Sequence, residues 1–172
     1  MAIPQGRKRR TFRVVSRQLQ QQLAAQFTVL AACSETSIED WSLLAVTPFS
    51  HWLSQAEFNQ QFTERSASEQ PAIRQQWREF YQLLVTSTPC YQAKYRCGGR
   101  LIFKAPKSSD LVIERLLRSA TEPQLTLVLP EFNAVFEQGG DDTCWLHFAS
   151  LKTMEPLLAR IRKQGMHLLS PA

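Results

Sequence analysis

The sequence lacks any apolar run of the roughly 18 residues that a membrane-spanning helix needs, so we expect no membrane span. It also lacks glycine-rich phosphate-binding loops. Its double glycines, Gly98-Gly99 and Gly139-Gly140, belong to neither a G-x-x-x-x-G-K-S/T nor a G-x-G-x-x-G motif, and both favour hairpin turns. No repeat of fixed period is visible. These absences exclude the common nucleotide-binding loops and repeat architectures, and no motif calls for a cofactor.

Acidic residues are missing from the start of the chain, where none precedes Glu35. The chain has 20 Lys+Arg and 15 Asp+Glu, a net charge of +5. Six of these bases lie before residue 18, which leaves 14 bases against all 15 acids in the rest, a net charge of −1. The basic character therefore belongs to the N-terminus, and the six bases are Arg7, Lys8, Arg9, Arg10, Arg13 and Arg17.

The rest of the composition is that of a globular domain. With 172 residues, 44% of them hydrophobic and 20% charged, the chain can bury a core of its own. We expect a basic, flexible arm over residues 1–15 and a single domain over 16–172. The domain divides into a helical part, 16–88, and a sheet-rich part, 89–172.

In the helical part, apolar residues recur at the spacing of one helical face. This pattern predicts helices over 16–32 and 69–85. It also predicts two short helices, one that begins near Ser37 and ends before Pro48, and one that begins near Ser50.

The sheet-rich part begins with two alternating segments, Tyr91–Arg96 and Arg100–Ala105, which predict a β-hairpin. Its other predicted elements are a helix over 110–119, strands over 125–129, 132–137 and 143–149, a helix capped by Thr153 with Pro156 in its first turn, and a strand over 166–169. The fold class is therefore α+β: N-terminal helices packed on a mostly antiparallel sheet, with a C-terminal βββαβ unit.

Four cysteines, Cys33, Cys90, Cys97 and Cys144, are irregularly spaced. A chain of this length does not need disulfides to fold, so we interpret them as reduced thiols in a cytoplasmic protein. Export as a lipoprotein through Cys33 is the alternative, because Arg9-Arg10-Thr11-Phe12 resembles a twin-arginine motif and Leu30-Ala31-Ala32-Cys33 a lipoprotein cleavage box. The stretch between them, Leu19 to Gln26, is too polar for a signal peptide.

A metal site is a further candidate. Cys90 and Cys97 are spaced C-x6-C, Cys144 and His147 are spaced C-x2-H, and thiolate and imidazole are zinc ligands. Structural zinc sites favour two close cysteines on one turn, and residues three apart on a strand point to opposite faces. We therefore expect buried thiols and no metal.

Nucleophilic catalysis would need one of the last three cysteines beside His51, His147 or His167. No nucleophile motif surrounds any of them, so the sequence favours binding over catalysis.

The leading hypothesis is a small, cytoplasmic, bacterial interaction protein, with an adaptor, regulatory or immunity-like role, whose basic arm contacts an acidic partner protein. The alternative is a nucleic-acid accessory protein anchored by the same arm, since arginines neutralise phosphates. A thiol- or metal-dependent enzyme is the third hypothesis.

Overall fold

The computed structural model describes residues 10–31, 37–62, 69–118 and 123–171. Within these ranges, eight strands join in one antiparallel sheet. The strands are β1 (Phe12–Val14), β2 (Ser42–Thr47), β3 (Tyr91–Tyr95), β4 (Leu101–Pro106), β5 (Thr126–Leu129), β6 (Ala134–Gln138), β7 (Cys144–Phe148) and β8 (His167–Leu169).

Five α-helices flank the sheet in the described part of the chain. They are α1 (Arg17–Gln26), α2 (Gln55–Phe62), α3 (Glu69–Ser87), α4 (Ser109–Leu117) and α5 (Leu151–Lys163). None of them is both long enough and apolar enough to cross a membrane. Short 3₁₀ turns occupy Thr28–Leu30, Ile38–Asp40 and Pro130–Phe132.

The strand order across the sheet is β1-β4-β3-β5-β6-β7-β2-β8. The predicted hairpin is β3–β4, and the predicted C-terminal unit is β5-β6-β7-α5-β8, so the α+β prediction is confirmed. The sheet is larger than predicted, because the N-terminal half adds β1 at one edge and inserts β2 between β7 and β8.

The sheet separates two apolar cores. On the first face, α3, α4 and α5 cover the central strands, and the fully buried side chains there include Phe80, Leu116 and Leu157. On the second face, α1 and the turn that follows it place Leu23 and Phe27 against β3 to β6. Helices thus pack on both faces of the sheet.

The helix predicted after Ser37 is wrong beyond its first turn. Ser37 and Asp40 do form a reciprocal capping box, but the turn ends at Asp40 and Trp41 is extended. The apolar segment that follows becomes β2, because pairing with β7 on one side and β8 on the other satisfies its backbone. The capping residue was therefore predicted correctly, but strand pairing determines the structure of the residues that follow the turn.

The predicted start of the last helix also needs correction. The cap is Ser150, whose Oγ accepts a hydrogen bond from the backbone N–H of Thr153 at 3.5 Å. Helix α5 thus begins one turn earlier than predicted, and Pro156 lies inside it. An exposed proline is accepted there because the opposite face of α5 buries Met154, Leu157, Leu158 and Ile161.

The strand register brings several connections to one end of the sheet. The β3–β4 turn, the start of β5, the β6–β7 turn and the end of β2 all meet there. The β3–β4 turn uses Gly98 and Gly99, both with positive φ (+82° and +75°), a conformation that glycine adopts at no steric cost. We call this the turn end of the sheet.

Candidate functional site

A basic surface covers the β1 edge of the sheet near its turn end. Alternation along β3 and β4 places Lys94, Ile102 and Lys104 on the first face. Lys94 lies opposite Ile102, so Lys94 and Lys104 are diagonal neighbours, about 7–8 Å apart for such a pair. β1 extends this surface, since Val14 lies opposite Lys104 and is 66% exposed.

The β3–β4 turn adds two arginines, Arg96 and Arg100, both exposed. The backbone N–H of Arg96 donates to the carbonyl of Arg100 at 2.9 Å, which holds the two residues side by side across the turn. Together with Lys94 and Lys104 they line a shallow depression of about 570 Å³. Its other lining residues are Tyr95, Cys97 and Ile102.

Arg10, within the predicted arm, precedes β1 at the end of β4 away from the turn, and its charge acts on Lys104. Partial burial lowers the pKa of Lys104, and the positive charges of Lys94, Arg96 and Arg10 lower it further. Three other positively charged side chains therefore repel Lys104. We call the five residues Arg10, Lys94, Arg96, Arg100 and Lys104 the basic face.

The charges of the basic face are not neutralised from within. None of its five bases forms an ion pair with another residue in the described part of the chain. Elsewhere the protein does pair its arginines: Arg78 Nη1 lies 2.8 Å from Glu114 Oε1, and Arg162 Nη1 lies 2.7 Å from Glu155 Oε1. Unpaired like charges on a shaped surface are available to an anion from outside.

The hairpin that carries these bases is fixed from the second face. Phe103 is fully buried beneath β4. The backbone N–H of Phe103 donates to Gln20 Oε1 of α1 at 2.8 Å, and the Tyr95 hydroxyl donates to the carbonyl of Leu30. Strands β3 and β4, which carry Lys94 and Lys104 and lead into the turn with Arg96 and Arg100, are thus packed from the opposite face.

The bases predicted from the sequence are only partly brought together. Arg7, Lys8 and Arg9 lie outside the described residues. Arg13 lies in β1 opposite Ala105 and faces the second side of the sheet, and Arg17 begins α1. Only Arg10 reaches the basic face among the described residues of the predicted arm. Residues 12–14 of that arm form a strand of the sheet.

Sequence reasoning missed the four bases of the hairpin. The signal was present, because the segment from Tyr91 to Lys107 contains five bases and no acid. Averaging the charge over everything after residue 17 gave −1 and concealed this segment. A charge count over each predicted supersecondary unit would have found it.

The four candidate zinc ligands do not come together. Cys90 and Cys144 are buried in the first core, Cys97 is exposed at the hairpin turn, and His147 faces the other side of the sheet from Cys144. No group of metal-ligating side chains forms among the described residues. Cys33, the candidate lipoprotein site, lies outside them.

Two of the three histidines, His51 and His147, have carboxylate partners and not thiol partners. His147 Nε2 lies 3.1 Å from Glu137 Oε2, and His51 Nε2 lies 2.9 Å from Glu57 Oε1. Burial raises the pKa of Cys90 to about 11 and that of Cys144 to about 12. Both buried thiols are therefore protonated at neutral pH and are weak nucleophiles.

Comparison with known proteins found no matching family model, no matching curated protein and no matching solved structure.

Proposed function

We propose that this protein binds nucleic acid through the phosphate backbone and that the basic face is its contact surface. The observation that carries the proposal is a set of five bases, unpaired within the described residues: four on the β3–β4 hairpin and Arg10 just before β1. Each phosphate that a base neutralises releases condensed counterions, which gives affinity without sequence preference.

An acidic partner protein would bind the same charges, but a stable protein–protein interface requires more than charge complementarity. Stable protein interfaces centre on buried apolar or aromatic anchors. Ile102 is buried, and the two exposed large apolar side chains beside the basic face, Val14 and Tyr95, lie on opposite faces of the sheet. Nucleic-acid interfaces are more polar and more positive than protein interfaces, which matches this surface better.

The state of the two buried cysteines argues against thiol catalysis at these two positions. Burial holds Cys90 and Cys144 in the thiol form. A thiolate nucleophile needs the opposite environment, one that is partly exposed and near a cation or an imidazolium. The third hypothesis from the sequence therefore receives no support from these two residues.

The test is a titration of the full chain with a fluorescein-labelled 20-nucleotide single strand and with the matching duplex. In the first variant, Lys94, Arg96 and Lys104 are all replaced by Gln. Removal of three phosphate contacts should weaken binding about 100-fold at about 0.1 M salt.

A matched control variant removes the same net charge elsewhere. It replaces Lys152, Arg160 and Lys163 of α5 by Gln, all of which are exposed. Its affinity should stay within about threefold of the wild type, because long-range charge is largely screened at this salt concentration. Equal losses in the two variants would reduce the effect to net charge and contradict the proposal.

Poly-glutamate at matched charge concentration distinguishes the acidic-protein alternative. If it binds the basic face as tightly as the oligonucleotide does, the partner class is acidic protein and the proposal is wrong. We expect poly-glutamate to bind at least about tenfold more weakly, because arginine forks match phosphate geometry.

A further inference from the structure

A second cavity, of about 360 Å³, lies on the second face of the sheet at its turn end, near β8. Thr47 of β2, Trp145 of β7 and Leu169 of β8 form its floor, since the register places all three on that face. The segment from Phe49 to α2 forms its walls. The volume falls within the range of small-molecule sites in proteins.

Aromatic rings make up much of the lining. Trp52 and Trp145 are stacked with centroids 5.9 Å apart, Phe58 and Phe62 are stacked at 4.5 Å, and Phe49 meets Phe62 edge to face at 6.3 Å. Ring faces carry partial negative charge, so they attract cations. We call this cavity, lined by Phe49, Trp52, Phe58, Phe62, Trp145 and Asp141, the aromatic pocket.

Trp52 is held in place although its side chain is accessible. Its Nε1–H donates to the carbonyl of Ser170 at 2.7 Å, and the residue is 39% exposed. An accessible indole that is fixed both by a hydrogen bond and by stacking is ready to receive a ligand with little loss of conformational entropy.

The polar groups of the pocket are one carboxylate, one imidazole and two threonine hydroxyls among its described lining. Asp141, in the β6–β7 turn, lines the rim, and its carboxylate has no ion-pair partner among the described residues. His51 lines the wall with its ring held by Glu57. Neither lysine nor arginine lines the pocket within the described ranges, the reverse of the basic face.

We propose that the aromatic pocket binds an organic ammonium ion, with the cation against the ring faces of Trp52 and Trp145 and its charge balanced by Asp141. Charge complementarity favours this occupant: ring faces and a carboxylate attract a cation and repel an anion. A quaternary ammonium group fits best, because it carries charge without hydrogen-bond donors that the rings would leave unsatisfied.

The experiment compares two probes of the same shape by calorimetric titration of the full chain. Choline carries the charge, and 3,3-dimethylbutan-1-ol is its neutral isostere. We expect choline to bind at least about tenfold more tightly than the alcohol, since the cation–π interaction belongs to choline alone. Equal affinities, or no binding of either probe, would overturn the proposal.

Two variants locate the site. Asp141→Asn removes the charge and keeps the backbone, because asparagine tolerates the positive φ of +54° at this position. It should weaken choline binding about threefold. Asp110→Asn, an exposed position on α4, is the matched control and should leave the affinity unchanged.

Trp52→Leu keeps apolar bulk and removes the ring, and it should weaken choline binding about tenfold without weakening the alcohol. Circular dichroism verifies that the variant is folded. If Asp141→Asn behaves like Asp110→Asn, or if Trp52→Leu weakens both probes alike, the occupant is not a cation and the proposal is wrong. Oligonucleotide binding is measured separately, so failure here leaves the basic face untouched.

Discussion

The hairpin bases of the basic face and the aromatic pocket lie at the same end of one sheet, on opposite faces, and they present opposite chemistry. The basic face gathers five cations around Ile102 and Val14. The aromatic pocket gathers ring faces and a carboxylate, with neither lysine nor arginine among its described lining. The folded part of the chain is nearly neutral on average. The comparison shows that this average conceals two regions of opposite charge, which the sheet holds apart on its two faces.

The two regions also differ in their effect on the stability of the folded state. In the aromatic pocket, stacked rings stabilise one another. On the basic face, partial burial and then repulsion by like charges lower the pKa of Lys104, so the charged form of this side chain opposes folding. Surfaces that oppose stability in this way are common where a ligand is bound.

The largest effect should come from the scaffold beneath the basic face. Phe103→Ala empties a fully buried position under β4 and should lower the free energy of unfolding by about 3–5 kcal/mol. Urea denaturation measures this change. Val14→Ala, on the adjacent exposed position, should stay within about 0.5 kcal/mol of the wild type. A small loss for Phe103→Ala would mean that the second core does not support the hairpin.

A smaller effect should follow from the tether between the hairpin and the second face. Tyr95→Phe removes the hydrogen bond to the Leu30 carbonyl and should lower the free energy of unfolding by about 1 kcal/mol. Tyr91→Phe, in the same strand on the same face, is the control and should be close to neutral. Equal losses in both would assign the effect to ring solvation and not to the tether.

Smaller again is the relief of repulsion on the basic face. Lys104→Gln should raise the free energy of unfolding at pH 7 by about 0.5 kcal/mol while weakening oligonucleotide binding. Because the pKa of Lys104 is lower in the folded state, the wild type should recover this difference as the pH rises through that pKa. The control Lys152→Gln should show neither the gain in the free energy of unfolding nor its dependence on pH. A loss of stability in Lys104→Gln would mean that the cations do not repel.

The smallest effect lies beside the aromatic pocket. Hydrogen bonds from the backbone and hydroxyl of Ser54, and then from His51, lower the pKa of Glu57 to about 2. Glu57 therefore stabilises α2 above its ordinary pKa of 4.5, and this contribution is lost as the pH falls toward 2. An NMR titration of the Glu57 carboxyl should give a midpoint near 2 that rises in Ser54→Ala. A midpoint near 4.5 in the wild type would contradict this network.

Much of the fold could be predicted from local signals. Gly98 and Gly99 predicted the hairpin, and the apolar stripe of α3 predicted the longest helix. β2 could not be predicted, because its continuous apolar segment suits a helix as well as a strand, and only β7 and β8 decide between them. The short β1 depends in the same way on pairing with β4.

Neither binding region could be predicted in full. The charge of the hairpin was visible in the sequence, but its meeting with Arg10 depends on the β1–β4 pairing. The aromatic pocket joins Trp52, Trp145 and Asp141 from segments far apart in the chain. Such sites are properties of the register, which only tertiary pairing fixes.

The most direct test of the central claim is the salt dependence of oligonucleotide affinity. For single-stranded DNA, the logarithm of the association constant should fall linearly with the logarithm of salt concentration, at about 0.7 per phosphate neutralised. Replacement of Lys94, Arg96 and Lys104 by Gln should make the slope shallower by about 2, and the α5 control should keep the wild-type slope. An unchanged slope in the first variant would show that the basic face does not contact phosphate.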